Sequence, residues 1–330
     1  MENVRLIYEQ IEHAKRMLLT DSVLDIRLAL ILLDNAAEVM MYRELSKRFA
    51  FDDNFNKWER LEELPPELRP RYTKEERDRA EREFEPLIRL LRRFDQLRES
   101  EAAVLRVCHK MRVAAFHRAD VNPNILFPTT KLLFLTVADM TLKLRAGHYA
   151  LPHDNDGPDA QFLKRFGLRS AHNLLSDEGA TAMREVLIRD IEFDPKAFAE
   201  LLTEELEERI EGIIDNIGYM NDTEDDAKID HNLQYVQFWR QRGATVAREC
   251  AERREPFGPA VDRAFLEWNE NPGPQYTVPK LRKWKQHAAA LRHSTNAPHV
   301  LTRYWSIQGM FIALEDDVLR ALFKFEDEHG

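Results

Sequence analysis

Along most of the chain apolar residues return every three or four positions, and period-two alternation does not persist over any useful length. This spacing predicts helices over 2–19, 22–49, 73–98, 101–119 and 128–146, then near 159–166, 178–188, 194–217, 229–252, 257–269, 278–294 and 298–326. The clearest stripe is Phe198, Leu202, Leu206, Ile210, Ile213 and Ile217, a single helical face. By contrast "VLDIRLALILLDNAAEVMMY" in the second helix is apolar on nearly every side, the pattern of a helix buried all round in a bundle or against a partner subunit. Asp21 and Ser22 are helix-capping residues at its start, and the Leu64-Pro65-Pro66 loop separates it from the third helix. Asp34 and Glu38 stand one turn apart on it; the ordinary explanation is a narrow solvated stripe continuing from Arg27. Prolines, a glycine and turn formers gather in "PHDNDGPD", so the chain divides into an N-terminal helical bundle, 1–150, and a second helical domain, 159–330. No fixed-period repeat is visible.

Composition sharpens this all-α expectation. Only 11 glycines among 330 residues leave little room for turns between many strands. No apolar run approaches the roughly 20 residues of a membrane span, and the N-terminus has no signal-peptide pattern. Cys108 and Cys250 are too few for a disulfide framework, and a cytoplasmic protein is expected. The net charge of -10 conceals an asymmetry: 26 Lys and Arg stand against 25 Asp and Glu over 1–150, and 22 against 33 over 151–330. Residues 102–150 are basic, which places any anion-binding surface there.

Candidate chemistry centres on "HKMRVAAFHRAD", 109–120, where Arg112 is followed by His117. The bare spacing recurs at Arg165 and His172, Arg282 and His287, and Arg292 and His299, so context must decide. Helical geometry puts Arg112 on the side of Leu105, Cys108, Ala115 and Phe116, an apolar face where an arginine needs a partner. Asp34 and Glu38, or the phosphate of a ligand, are the candidates. His117 points about 140° away from Arg112 on an ideal helix, so both reach one phosphate only if the helix end distorts or a two-fold axis brings two subunits together. Asn122-Pro123 makes a helix end there reasonable.

Over roughly residues 1–148 the chain resembles the HEPN superfamily of helical-bundle proteins, many of them RNA-cutting toxins and defence effectors. The resemblance rests on "MRVAAFH" in the fourth helix, "LALILLDNAAEVMMY" in the second, and the helix order. It implies Arg112 and His117 as the catalytic pair, supported by Asp34 or Glu38, and metal-independent cleavage of RNA to 2′,3′-cyclic phosphate and 5′-hydroxyl ends. Val113 departs from the family pattern, in which a polar residue commonly follows the arginine. His109 could assist as a second proton carrier, although a surface histidine is the plainer reading. Arg106, Lys110 and Arg118 would attract the RNA backbone.

The expectation is therefore a metal-independent endoribonuclease without a cofactor, serving as a toxin or in antiviral defence. It would pair as a homodimer through helices 22–49 and 101–119 and answer to an antitoxin or trigger-sensing partner. The alternative is a non-catalytic binding or scaffold protein that keeps the bundle. Other signals are weaker. "PKLRKWKQHAAALRH", 279–293, mixes basic residues with Trp284 in the manner of a single-strand RNA surface, but Leu281, Trp284, Ala288 and Leu291 also form a core stripe. "NDTEDDAKID" lacks the glycine and closing glutamate of a calcium loop, His153-Asp154 stands without further spaced ligands, and neither a phosphate loop nor a zinc HExxH is present.

Overall fold

A computed structural model describes residues 2–20, 22–55, 72–118, 122–144, 158–168, 176–270 and 275–329. Among them are thirteen helices and no strand, so the protein is all-α. Its contacts form two compact units, Met1–Asp194 and Pro195–Gly330. The division between them falls at Asp194 and Pro195; of the proline-bearing segment expected as a domain edge, residues 152–157 lie outside the described residues.

In the first unit α2 (Val23–Phe55) is the central element, packed by α1 (Glu2–Leu18), α4 (Phe84–Arg93), α5 (Glu99–Arg118) and α6 (Pro123–Met140). The all-round apolar pattern of α2 has this cause: Ala29, Leu30, Leu33, Ala36, Ala37 and Met41 are wholly buried on several of its sides. One strip escapes, with Leu24 66%, Leu28 39% and Tyr42 45% exposed. Further helices, α7 (Pro158–Arg165) and α8 (Asp177–Ile188), join this unit because they bury side chains against it. Tyr8 of α1 meets the rings of Phe162 and Phe166 edge-on, Lys15 donates to the Val186 carbonyl, and Arg184 pairs with Asp139 of α6 at 2.5 Å.

The helix expected over 73–98 is two helices, α3 (Lys74–Ala80) and α4, broken at 81–83. Pro86 explains the break: it has no N–H to give the carbonyl of Arg82, and its ring would strike that carbonyl in a continuous helix. At the head of α3 a capping box forms, Thr73 accepting from the Glu76 N–H at 3.1 Å while the Glu76 carboxylate accepts from the Thr73 N–H at 2.8 Å. Arg93 of α4 closes onto the same carboxylate at 2.7 Å. Its guanidinium, with the Thr73 N–H, lowers the Glu76 pKa from 4.5 to about 2. Because the folded value is depressed, the stability it contributes is present above pH 4.5 and is lost as pH falls toward 2. Acid unfolding of wild type and Glu76→Gln checks this: the variant is expected to lose less stability across that window, and equal losses would rule out the assignment.

Helix α6 begins at Pro123, five residues before its expected start, with Asn122 capping the Asn124 N–H at 2.9 Å. Pro123 occupies the first helical turn, where its missing donor costs nothing, and the helix runs on through Pro128.

The second unit pairs α9 (Pro195–Met220) with α13 (Ala297–His329) and α12 (Val278–Ala289), and packs α10 (Asp226–Arg253) against α11 (Phe257–Glu270). The predicted stripe of α9 is buried from Phe198 to Ile217. The α10–α11 contact is an aromatic cluster around Phe238 and Phe265. Gly243 permits close packing there, since a Cβ would lie 2.4 Å from the Trp239 ring.

Candidate functional site

Where α2 crosses α5, a carboxylate, an imidazole and a guanidinium meet. Asp34 is wholly buried, a position tolerable for a charge only with bonded partners. Among the described residues it has two, both from α5. Arg112 Nε donates to Asp34 Oδ2 at 2.9 Å, and His109 Nδ1 lies 3.0 Å from Oδ2 and 3.2 Å from Oδ1. His109 and Arg112 are three residues apart, so one helical face presents both to the same acid. Burial, with the Asp34 charge adding to it, pushes the neighbouring Cys108 thiol far above its ordinary range, which leaves it unreactive.

Of the two partners considered for Arg112 on α2, Asp34 is the one that takes it. The arginine's side chain is still 34% exposed, and its terminal amino groups donate to no described protein group. His109 is not a surface histidine: its ring lies parallel to Phe84, centroids 3.9 Å apart, with its side chain 24% exposed. Glu38, one turn after Asp34, is half-buried, and ligand atoms of Asp34, Glu38 and His109 all fall within 4.8 Å of one another. These three residues could together hold a cation.

His117 and Arg118 lie on α5, but their side chains are outside the described residues. Lys110 and Val113 are exposed. Arg106 is not a free cation, since it forks onto Glu85 at 2.8 and 2.9 Å and also approaches Glu99 at 3.6 Å. That guanidinium holds the Glu85 carboxyl below the usual carboxylate range. Glu38 also borders an open cleft of about 310 Å³, walled by Tyr42 and Arg43 of α2 and by Arg82, Glu83 and Leu87.

Phe84 and Glu85 are the members of this region that sequence reasoning missed. The signal was Pro86: a helix starting just before it puts both residues in a first turn that can face α5, whereas the continuous helix expected over 73–98 gave them no special position.

The basic segment 279–293 behaves as packing material. Trp284 is buried, Leu281 and Ala288 are wholly so, and Lys280 lies 5.4 Å from the Trp284 ring. Arg282 pairs with Asp226, Lys285 with Glu211 and Arg292 with Glu207, so carboxylates meet these positive charges. In the acidic run 221–230, Asp225 caps α10 and Asp230 accepts from the Val278 N–H, both structural tasks. No described helix is long and apolar enough to cross a membrane.

Compared with family models, curated proteins and solved structures, the chain matches none.

Proposed function

We propose that this chain is an endoribonuclease of HEPN type that cuts RNA without needing a metal, leaving 2′,3′-cyclic phosphate and 5′-hydroxyl ends, as a toxin or antiphage effector. The observation that carries the reading is the grip of the buried Asp34 on Arg112. By engaging Nε, the carboxylate fixes the guanidinium while its terminal amino groups remain available for two phosphate oxygens. A permanent cation so placed stabilises the charge that builds on phosphorus as a 2′-oxygen attacks.

In this reading His117 takes the 2′-hydroxyl proton, the 2′-oxygen bonds to the adjacent phosphorus, and the bond to the 5′-oxygen breaks, that oxygen leaving with a proton. His109 is the second proton carrier. Asp34 occupies its Nδ1, so Nε2 is the nitrogen free to exchange a proton, and Phe84 fixes the ring plane. DNA lacks the attacking hydroxyl and is not cut. Lys110 attracts the backbone, whereas Arg106 does so only by exchanging Glu85 and Glu99 for phosphate. Two copies associate through 22–49 and 101–119, where Leu24, Leu28, Tyr42 and Val113 expose apolar surface. The acidic second unit receives the trigger or antitoxin.

A second reading, a binding or scaffold protein without catalysis, is favoured by the same ion pair seen differently: Asp34 and Arg112 already neutralise one another. The two part on one assay. Purified wild type, Arg112→Ala and His117→Ala are incubated with cellular RNA in EDTA. The nuclease reading predicts cutting by wild type and a loss of about a hundred-fold or more in each variant. Equal cutting in all three would remove both residues from the chemistry.

A further inference from the structure

The chemistry proposed above uses Asp34, His109 and Arg112 but gives Glu38 no task. Glu38 comes from the same helix as Asp34, one turn on, and His109 from α5, so packing, not a sequence motif, brings their ligand atoms within 4.8 Å of one another. Arg112 Nε donates to Asp34 Oδ2, whereas Oδ1 has no donor besides His109 among the described residues. From that oxygen to His109 Nδ1 the distance is 3.2 Å. Two ligands on a tetrahedral ion with bonds of about 2.0 Å stand about 3.3 Å apart, so this edge is already in place. Two neighbours hold these ligands: Phe84 fixes the imidazole plane, and Arg112 bonds the other carboxylate oxygen as an outer-shell partner does, while Glu38 closes in from within 4.8 Å to complete the set. Two carboxylates against one guanidinium leave a local excess of negative charge for a cation.

The donor set selects the ion. One imidazole nitrogen with two carboxylate oxygens suits zinc and its neighbours, while magnesium and calcium favour oxygen alone. We propose that Asp34, Glu38 and His109 bind a single divalent cation of the zinc class, through Asp34 Oδ1, a Glu38 carboxylate oxygen and His109 Nδ1. Binding requires the neutral imidazole to carry its proton on Nε2 instead of Nδ1, and the Nδ1–metal bond replaces the hydrogen bond between His109 and Asp34. Its consequence for RNA rests on the nuclease reading: with His109 and Asp34 committed to the ion, cutting falls, so the cation is an inhibitor.

The 330-residue chain, stripped with EDTA and dialysed, is titrated with Zn2+ by calorimetry and with Co2+ by visible absorbance. Circular dichroism confirms that each variant is folded. Wild type is expected to take up one cation per chain and to give the absorbance of cobalt bound by nitrogen and oxygen. Glu38→Gln and His109→Ala are expected to weaken uptake by about ten-fold or more, while Glu81→Gln, on the neighbouring cleft, binds as wild type does. No uptake by wild type, unchanged uptake in folded Glu38→Gln and His109→Ala, or an equal loss in Glu81→Gln would overturn the site. RNA cutting is read separately with and without Zn2+. A protein that binds the ion but never cuts keeps the site and loses the nuclease reading, and one that cuts without binding does the reverse.

Discussion

Replacing Asp34 with alanine is expected to lower the unfolding free energy of the N-terminal unit by about 2–4 kcal/mol. The carboxylate is wholly buried and is the acceptor for both Arg112 and His109. Its removal leaves a guanidinium and an imidazole at a helix crossing with their shared partner gone. A fully enclosed pair would lose the upper end of the usual range, about 3–5 kcal/mol. Here Arg112 and His109 keep 34% and 24% of their side-chain exposure, so water softens the loss. Denaturant unfolding followed by circular dichroism measures it, and a change below about 0.5 kcal/mol would mean that the ion pair is ornamental to the fold. On the nuclease reading the same substitution also frees Arg112 from its fixed orientation, and cutting falls with stability even at temperatures where the variant is folded.

A larger effect is expected in the second unit. Phe238 is wholly buried and meets Phe265 edge-on at 5.4 Å, Trp239 at 5.8 Å and Trp268 at 5.9 Å. Phe238→Ala removes a ring from the centre of the α10–α11 contact, where neighbouring rings are too large to collapse into the space. The cost is the lost transfer energy together with the cavity, about 3–5 kcal/mol, with each edge-to-face pair contributing about 0.5–1.5 kcal/mol beyond burial. Trp239 and Trp268 border the void, so tryptophan fluorescence reports the transition directly. A loss under about 1 kcal/mol would show that the cluster is loosely packed.

Much of the fold was legible because helical periodicity survives any tertiary arrangement. The stripe from Phe198 to Ile217 is buried as its spacing requires, and α2 is central because almost every side of it is apolar. The pairing of Arg112 with an acid of α2 was likewise readable, since an arginine on an apolar helix face requires a counter-charge and Asp34 and Glu38 were the ones on a buried helix. The choice between them was not, because one turn of helix separates them and only the crossing of α2 and α5 decides. In the sequence His109 reads mainly as surface for a related reason. A lone histidine is exposed or enclosed according to what packs on it, and Phe84 does so from a helix that exists only because Pro86 interrupts 73–98. For 279–293 the core stripe through Leu281 and Trp284 was legible beside its basic look, whereas composition does not show that Asp226, Glu211 and Glu207 sit opposite its charges.

If Arg112 and a histidine of α5 cut RNA with the RNA's own 2′-hydroxyl, the ends of the product carry the signature of that attack. Cellular RNA incubated with the wild-type protein in EDTA is analysed for end groups beside Arg112→Ala and His117→Ala. Wild type alone is expected to give 2′,3′-cyclic phosphate and 5′-hydroxyl ends. Intact RNA in every lane, or 5′-phosphate ends that vanish in EDTA, would contradict it.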